Sequence, residues 1–337
     1  MCNKHNSQLI TEVTLYAYTL PFHKPMQFKQ YQLQSRDGLI LQLSMHNGIN
    51  HFVEIAPLPG FSHERLADVK KQVMTLLASS LDKLLTYKSN YASVQFAFSA
   101  LTIDNSDQAI KIAMDNIPLL QGTQSQVKQQ YQRLDHPVLI KLKVARTSIT
   151  EDIATFQSLC ELNPALKIRC DANQAWNKQQ AIQFFSRINV QQLDYIEEPT
   201  NNHQLNLQLA EQYQVPLGLD ETLQQPNFDY QHNQYVRAFI IKPTIIGDRQ
   251  KIDKLVSIAM QQDINISFSS SFESVVGLQQ LKTLANHYAN IYPNNHNSTI
   301  SLGIDTLKFY DSALLVNEKQ IAEDCQKLEV LWTSNEK

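Results

Sequence analysis

Apolar positions in the first hundred residues form short runs, and longer stretches with helical spacing follow them. The stretches at 63–79 and 91–103 predict two helices. Strands followed by helices, without regular alternation, are typical of a compact α+β domain, and we predict one over residues 1–112. Three short runs predict the strands of an antiparallel meander in this domain, at residues 15–20, 39–45 and 51–55.

A different sequence pattern begins near residue 115, where short apolar runs alternate with helix-like segments. Strand–helix alternation of this kind predicts parallel βαβ units. Eight such strands fit a TIM-type barrel, which we favour over a doubly wound open sheet because the runs are evenly spaced and the chain lacks a glycine-rich phosphate loop. The apolar runs lie at residues 117–120, 138–144, 165–170, 193–196, 215–219, 237–241, 264–268 and 300–304. Helix-like segments lie at residues 150–162, 177–187, 203–212 and 249–262.

The predicted barrel domain covers residues 113–306. The segment 307–337 is too short for another strand–helix unit, and we predict that it packs back on the first domain. A total of 337 residues suits one large and one small domain.

Composition narrows the class of function. A net charge of −3 and a pI near 6.4 exclude a strongly basic nucleic-acid-binding surface. No stretch is apolar enough to span a membrane and no secretory signal is recognisable, so a cytoplasmic protein is predicted. The oligomeric state stays open, with a monomer slightly favoured. Four scattered cysteines without a C-x-x-C pair indicate reduced thiols, namely Cys2, Cys160, Cys170 and Cys325.

Ionisable side chains end the predicted barrel strands at matching positions. The positions are Lys143, Asp171, Glu197, Asp220 and Lys242, at intervals of 28, 26, 23 and 22 residues. Each therefore occupies the same place in its strand–helix unit. In a barrel that place is the carboxyl-terminal mouth, where active sites lie.

Asp171, Glu197 and Asp220 would converge from consecutive strands. Three anions held together repel one another and raise each other's pKa unless a cation neutralises them. Carboxylate oxygens suit Mg²⁺, which keeps positions open for water or substrate oxygens. We therefore predict a site for one Mg²⁺. Any one of these carboxylates alone would instead indicate a solvated residue at a strand end, paired with a lysine.

Lys141 and Lys143 are two residues apart, so in a strand they share one face. Burial, a second ammonium and a bound cation all depress the pKa of a lysine, which makes Lys143 a usable base near neutral pH. Lys242 comes from a strand across the barrel and should approach the substrate from the opposite side. Together the groups suit abstraction of a proton beside a carboxylate, which produces an enediolate whose charge a metal stabilises.

These residues stand in motifs that resemble the enolase superfamily, muconate-lactonizing subgroup, and within it the o-succinylbenzoate synthase family of menaquinone biosynthesis. The motifs are KLK at 141–143, DANQAW at 171–176, EEP at 197–199, DET at 220–222 and IKPT at 241–244. Three further segments favour that family, namely EIAPLPGFS at 54–62, SSSFES at 269–274 and LGIDT at 302–306. The resemblance runs from about residue 30 to about residue 310.

The resemblance implies an α/β fold in which an α+β capping domain covers a modified TIM barrel of the (β/α)₇β type, with one bound Mg²⁺. It implies a hydro-lyase that converts 2-succinyl-6-hydroxy-2,4-cyclohexadiene-1-carboxylate to 2-succinylbenzoate by syn elimination. Carried over by motif, the metal ligands are Asp171, Glu197 and Asp220, the base is Lys143, and Lys242 lies on the other face as a cation or an acid/base. Lys141 would tune Lys143 and help hold the carboxylate, and substrate contacts fall on Ser269, Ser270 and Gly303.

Other readings stay open at this point. An N-succinylamino acid racemase or dipeptide epimerase of the same superfamily also places lysines on both faces, and a catalytically silent barrel would act as a binding module. Asn173 is either a partner of the metal site or an ordinary loop amide. Arg36 begins an Arg-Asp-Gly sequence that suggests a substrate-covering loop or a hairpin turn. Val53 and Gln174 depart from the family pattern, which usually has Gly and Arg there.

Overall fold

The computed structural model describes residues 10–79, 84, 86–103, 117–293 and 298–334. The first domain is an antiparallel sheet covered by two helices. Its strands are β1 (Ile10–Phe28), β2 (Tyr31–Met45) and β3 (Asn50–Ile55), and its helices are α1 (Leu66–Ser79) and α2 (Ala92–Ala100). The predicted strands and helices of this region are confirmed, although β1 and β2 extend well beyond the predicted runs.

The Arg-Asp-Gly sequence at residues 36–38 lies inside β2, so both hypotheses for it, a covering loop and a hairpin turn, are wrong. The turn between β1 and β2 is instead at Lys29, which has a φ of 51°. Gly38 is needed for close approach rather than for a turn. It lies opposite Tyr18, and a Cβ at this position would stand 2.5 Å from the Tyr18 hydroxyl oxygen.

Eight parallel strands form the second sheet, and their spatial order follows the chain without reversal. A doubly wound sheet would reverse its order at a switch point, so the barrel prediction is confirmed and the open-sheet alternative is excluded. The strands are β4 (Leu119–Leu120), β5 (Leu139–Lys143), β6 (Lys167–Asp171), β7 (Leu193–Glu197), β8 (Leu217–Leu219), β9 (Val236–Ile241), β10 (Asn265–Ser269) and β11 (Ile300–Gly303).

Helices follow seven of these strands, which gives a (β/α)₇β arrangement. They are α3 (Gln124–Gln132), α4 (Ile149–Leu162), α5 (Lys178–Phe185), α6 (His203–Tyr213), α7 (Glu221–Gln224), α8 (Pro243–Ile246), α9 (Arg249–Gln261) and α10 (Val275–Ile291). Side chains bridge the first and last strands, because the Leu119 amide donates to Asp305 at 3.4 Å and Lys308 donates to the Leu119 carbonyl at 3.2 Å.

The end of the chain returns to the first sheet. After β11 come a short helix, α11 (Ile321–Cys325), and a final strand, β12 (Glu329–Thr333), which pairs antiparallel with β1. The predicted boundary at residues 112–113 lies outside the described residues, and the domain limits stay a prediction. No helix of the described chain is long and apolar enough to cross a membrane.

Two buried side chains of the first sheet fasten it to the barrel at what we term the cap–barrel joint, formed by Arg36, Glu54, Phe272 and Ser274. Arg36 donates to the carbonyl oxygens of Phe272 at 3.0 Å and Pro57 at 2.7 Å, and also to that of Ala56. The joint therefore connects β2 to the segment that follows barrel strand β10.

Glu54 forms the other half of the joint at the start of α10. Its carboxylate accepts from the Ser274 amide at 3.0 Å, the Ser274 hydroxyl at 2.5 Å and the Gly277 amide at 2.8 Å. A carboxylate at a helix N-terminus satisfies amides that lack an intrahelical partner and complements the helix dipole. The first domain is thus held on the carboxyl-terminal side of the barrel, where the site lies.

Candidate active site

The carboxyl ends of β5, β6 and β7 lie side by side. In the parallel register Lys143 is opposite Asp171, and Asp171 is opposite Glu197. Asp220 directly follows β8 and Lys242 directly follows β9. The structure therefore brings the five strand-end residues to one mouth of the barrel, because parallel strands end at the same edge.

Lysine ammonium groups lie between the predicted metal ligands. Lys143 Nζ is 2.6 Å from Asp171 Oδ2, and Lys141 Nζ is 2.9 Å from the same oxygen and 2.6 Å from Glu197 Oε2. Lys242 forms an ion pair with Asp220. Exposure is 2% for Asp171, 1% for Glu197 and 0% for Asp220, so these pairs replace solvation that the carboxylates lose on burial.

The convergence of the three carboxylates on one metal ion stays a prediction. Within the described residues, no three acidic, histidine or cysteine side chains surround one point as a metal cage. Each predicted ligand contacts a lysine instead, because crowded like charges repel and the ammonium groups are the cations that the chain itself supplies.

Asp171, Glu197 and Asp220, which we term the acidic cluster, nevertheless have donor atoms that fit a divalent cation. Burial raises the pKa of Glu197 to about 7, and the charges of Asp171 and Asp220 add to this increase although Lys141 opposes it. The ion pair with Lys141 therefore does not offset the cost of burying the Glu197 carboxylate. Carboxylate oxygens of this kind are the ligands that Mg²⁺ prefers.

The lysines on the two sides of the cluster differ in proton affinity. Burial and the neighbouring Lys141 lower the pKa of Lys143 below its usual value, against the opposing effect of Asp171. For Lys242 burial acts in the same direction, but Asp220 and Glu221 outweigh it and raise the pKa. Lys143 is thus suited to hold and release a proton, and Lys242 to remain a cation.

Asn173 connects Lys143 to Glu221, a carboxylate that is not among the predicted site residues. Asn173 Oδ1 accepts from Lys143 at 2.7 Å, and its Nδ2 donates to Glu221 Oε1 at 3.3 Å. Glu221 is buried, and burial together with Asp220 raises its pKa to about 8. Its place directly after Asp220 was a usable signal, since it begins α7 at the barrel mouth.

Glu198, which directly follows β7, has a structural position. Its Oε1 accepts from the backbone amides of Asp220 at 3.0 Å and Thr222 at 2.9 Å. The carboxylate therefore fixes the turn that presents Asp220 to the cluster. Glu197 and Glu198 are adjacent in the sequence but have different partners, since Glu197 contacts Lys141 and Glu198 contacts backbone amides.

A cavity of about 300 Å³ opens above the cluster, between the first domain and the barrel. Lys141, Lys143, Asp171 and Lys242 line its charged end. The predicted substrate contacts Ser269, Ser270 and Gly303 also line it. Apolar side chains complete the wall, among them Met26, Phe28, Leu58, Phe61 and Ile117. The cavity combines a few convergent charges with an apolar wall, which is typical of a small-molecule site.

Comparison with known proteins identifies the family. A family model described as MenC, N-terminal domain matches residues 10–104, and one described as Enolase C-terminal domain-like matches residues 125–322. The o-succinylbenzoate synthase of Aliivibrio salmonicida is 30% identical over 278 residues, which cover 80% of this chain and 85% of that protein. The chain belongs to the o-succinylbenzoate synthase family of the enolase superfamily.

Other o-succinylbenzoate synthases match over still more of the chain. That of Haemophilus influenzae is 29% identical over 89% of this chain and 91% of its own length. The o-succinylbenzoate synthase of Pectobacterium atrosepticum is 28% identical over 96% of this chain and 99% of its own length. The resemblance drawn from the strand-end motifs is therefore confirmed at the level of the family.

Solved structures show the same fold. The o-succinylbenzoate synthase of Thermosynechococcus elongatus BP-1, complexed with Mg in the active site, superposes with a TM-score of 0.70 at 23% identity, covering 94% of this chain and 100% of that one. The L-Ala-D/L-Glu epimerase of Bacillus subtilis superposes with a TM-score of 0.68 at 16% identity, covering 91% of this chain and 92% of that one. Proteins with a different named activity therefore share the modified barrel and its capping domain.

The two departures from the family pattern lie in different surroundings. Val53 is buried in β3 and packs in the core of the first domain. Gln174 adopts a left-handed backbone with a φ of 63°, and its amide donates to the Glu198 carbonyl at 2.8 Å. Val53 thus belongs to the scaffold, whereas Gln174 lies on the loop that follows the strand end at Asp171.

Proposed function

We propose that the chain is a hydro-lyase that dehydrates 2-succinyl-6-hydroxy-2,4-cyclohexadiene-1-carboxylate to 2-succinylbenzoate, as its family does. The observation that carries the proposal is the position of Lys143 and Lys242, which lie at the ends of two different barrel strands and contact different carboxylates, Asp171 and Asp220. The lowered pKa of Lys143 and the raised pKa of Lys242 agree with one base and one cation. Elimination is favoured over racemisation because the relatives named above are o-succinylbenzoate synthases.

Lys143 is the proposed base. In its neutral form it takes the ring proton alpha to the carboxylate, and the pair of electrons left behind moves into the ring as the hydroxyl group departs. The Lys143 ammonium then gives its proton to the leaving oxygen, so one water is lost and the ring becomes aromatic. One group serving both transfers requires a syn geometry, and the hydrogen bond from Lys143 to Asn173 at 2.7 Å orients it.

Lys242 and Lys141 act as cations in this proposal. The raised pKa of each keeps it protonated near neutral pH, through Asp220 for Lys242 and through Asp171 and Glu197 for Lys141, although burial opposes both increases. Lys242 would stabilise negative charge on the substrate as the proton leaves. Lys141 would keep the pKa of Lys143 low and hold the carboxylate, while Ser269, Ser270 and Gly303 contact the substrate.

Family membership supports dependence on a divalent metal, and we propose one Mg²⁺ held by Asp171, Glu197 and Asp220. When bound, the ion would supply a Lewis acid for the substrate carboxylate. Glu198 would help to position one of these ligands, because its carboxylate fixes the turn at Asp220.

The assay follows ultraviolet absorbance while the cyclohexadiene is converted to the aromatic product. With Mg²⁺ present we expect turnover, and removal of the metal with EDTA should abolish it because the acidic cluster then repels the substrate carboxylate. Added Mg²⁺ should restore the rate. Asp220→Asn should not respond to Mg²⁺, whereas Asp229→Asn, which removes an exposed partner of Lys254, should behave as the wild type. Turnover that persists after exhaustive chelation would rule out the metal.

A further inference from the structure

Arg146 is a cation at the cavity that the proposed reaction does not use. It lies three residues beyond Lys143, on the turn between β5 and α4, and lines the cavity. Its side chain is exposed, and among the described residues no carboxylate lies within ion-pairing distance of its guanidinium. An ordinary arginine at the protein surface would also be exposed and without a carboxylate partner. The conformation of the backbone around Arg146 distinguishes it from such a residue.

The turn around Arg146 is held in place from both sides. Ala145 adopts a φ of 59°, a left-handed conformation that is costly for a residue with a Cβ. Its amide donates to Asp152 Oδ2 at 2.9 Å, and the Thr147 hydroxyl donates to Asp152 Oδ1 at 3.1 Å. Asp152 is itself buried and accepts a further bond from the Trp176 indole at 3.3 Å. Arg146 therefore stands at the apex of a rigid turn rather than on a flexible loop.

The other cations that line the cavity already have partners. Lys141, Lys143 and Lys242 contact carboxylates of the acidic cluster. The Lys29 ammonium lies over the Phe61 ring, 4.5 Å from its centroid. Among the described cations that line the cavity, Arg146 thus has neither a carboxylate nor an aromatic ring as its partner, and its hydrogen-bond donors are available to a ligand. A guanidinium binds a carboxylate through two parallel hydrogen bonds.

We propose that Arg146 binds the second, side-chain carboxylate of the substrate and makes the site selective for dicarboxylates. The inference rests on the proposed function, which places the ring carboxylate at the acidic cluster. The succinyl chain then extends from the ring along the apolar wall toward the mouth. Arg146 meets its terminal carboxylate there, while Lys143 acts at the ring.

The test compares two ligands that differ only in this carboxylate, 2-succinylbenzoate and 2-butyrylbenzoate, with the Mg²⁺-loaded protein by titration calorimetry. Arg146→Met should weaken binding of 2-succinylbenzoate about tenfold, as expected for loss of a charge-assisted hydrogen bond at a partly solvated site, and leave 2-butyrylbenzoate unchanged. Arg146→Lys should recover part of the loss. Lys24→Met is the matched control, because Lys24 lies in an adjoining surface depression and carries the same charge without lining the cavity.

Each outcome bears on one claim. Equal weakening of both ligands by Arg146→Met, or of neither, overturns the inference. A loss with Lys24→Met as large as with Arg146→Met also overturns it, since the effect would then be long-range charge alone. Wild-type protein that binds 2-succinylbenzoate selectively yet does not dehydrate the cyclohexadiene leaves the inference in place and overturns the proposed function. Unchanged unfolding temperatures are expected for both Arg146 variants, because the side chain has no carboxylate partner to lose.

Discussion

Replacing Lys143 with methionine should lower kcat for dehydration by about ten-thousandfold, the upper range for loss of a general acid–base group. The variant keeps the length of the side chain but has no group that takes the ring proton or returns it to the leaving hydroxyl. Steady-state ultraviolet assays at saturating substrate measure the loss. Affinity for 2-succinylbenzoate should change far less, because the carboxylates of the acidic cluster and the apolar wall remain.

Lys167→Met provides the matched control for this change. Lys167 begins β6, at the opposite end of the strand from Asp171, and its ammonium donates to the Gln191 carbonyl at 2.6 Å. Its loss removes the same charge from the same barrel without touching the site, so kcat should stay within about twofold of the wild type. A Lys143→Met protein that retained about a tenth of the wild-type kcat would contradict the assignment of the base.

Replacing Arg36 with methionine should lower the free energy of unfolding by about 3–5 kcal/mol, the range for breaking a buried charged network. Arg36 is only 1% exposed, and its guanidinium serves the carbonyl oxygens of Ala56, Pro57 and Phe272. Without it these oxygens stay buried with fewer donors, and the buried carboxylate of Glu273 loses a favourable positive charge. Urea unfolding monitored by circular dichroism measures the change.

Arg237→Met is the control for stability. Arg237 is an exposed residue of β9, so its replacement should leave the free energy of unfolding within about 0.5 kcal/mol of the wild type. If Arg36→Met costs no more than this control, the cap–barrel joint contributes little to stability. The hydrogen bonds to Phe272 would then position the loop after β10 without holding the fold together.

The barrel and the edge that carries its site were predictable because both follow from local pattern. Each apolar run and its terminal ionisable residue, such as Asp171 or Glu197, appear within a few positions of each other. Parallel strands then force these residues to one edge without further information.

The remaining features depend on contacts between distant segments. Arg36 looked like part of a turn because Asp and Gly follow it, and its contact with Phe272 is 236 residues away in the chain. The lysine positions were predictable, but their insertion between the carboxylates depends on side-chain charge balance. Nothing in the sequence marked Arg146. Its lack of a carboxylate partner and the hydrogen bonds from its turn to Asp152 can be recognised only in the folded structure.

Pairing of β12 with β1 sets an order for assembly during synthesis. All eight barrel strands leave the ribosome before the segment that covers the outer edge of β1, so this edge stays unpaired while the barrel forms. An open strand edge readily recruits other chains, which makes the nascent protein most vulnerable to aggregation in that interval. A strand translated after the whole barrel therefore completes the sheet of a domain translated before it.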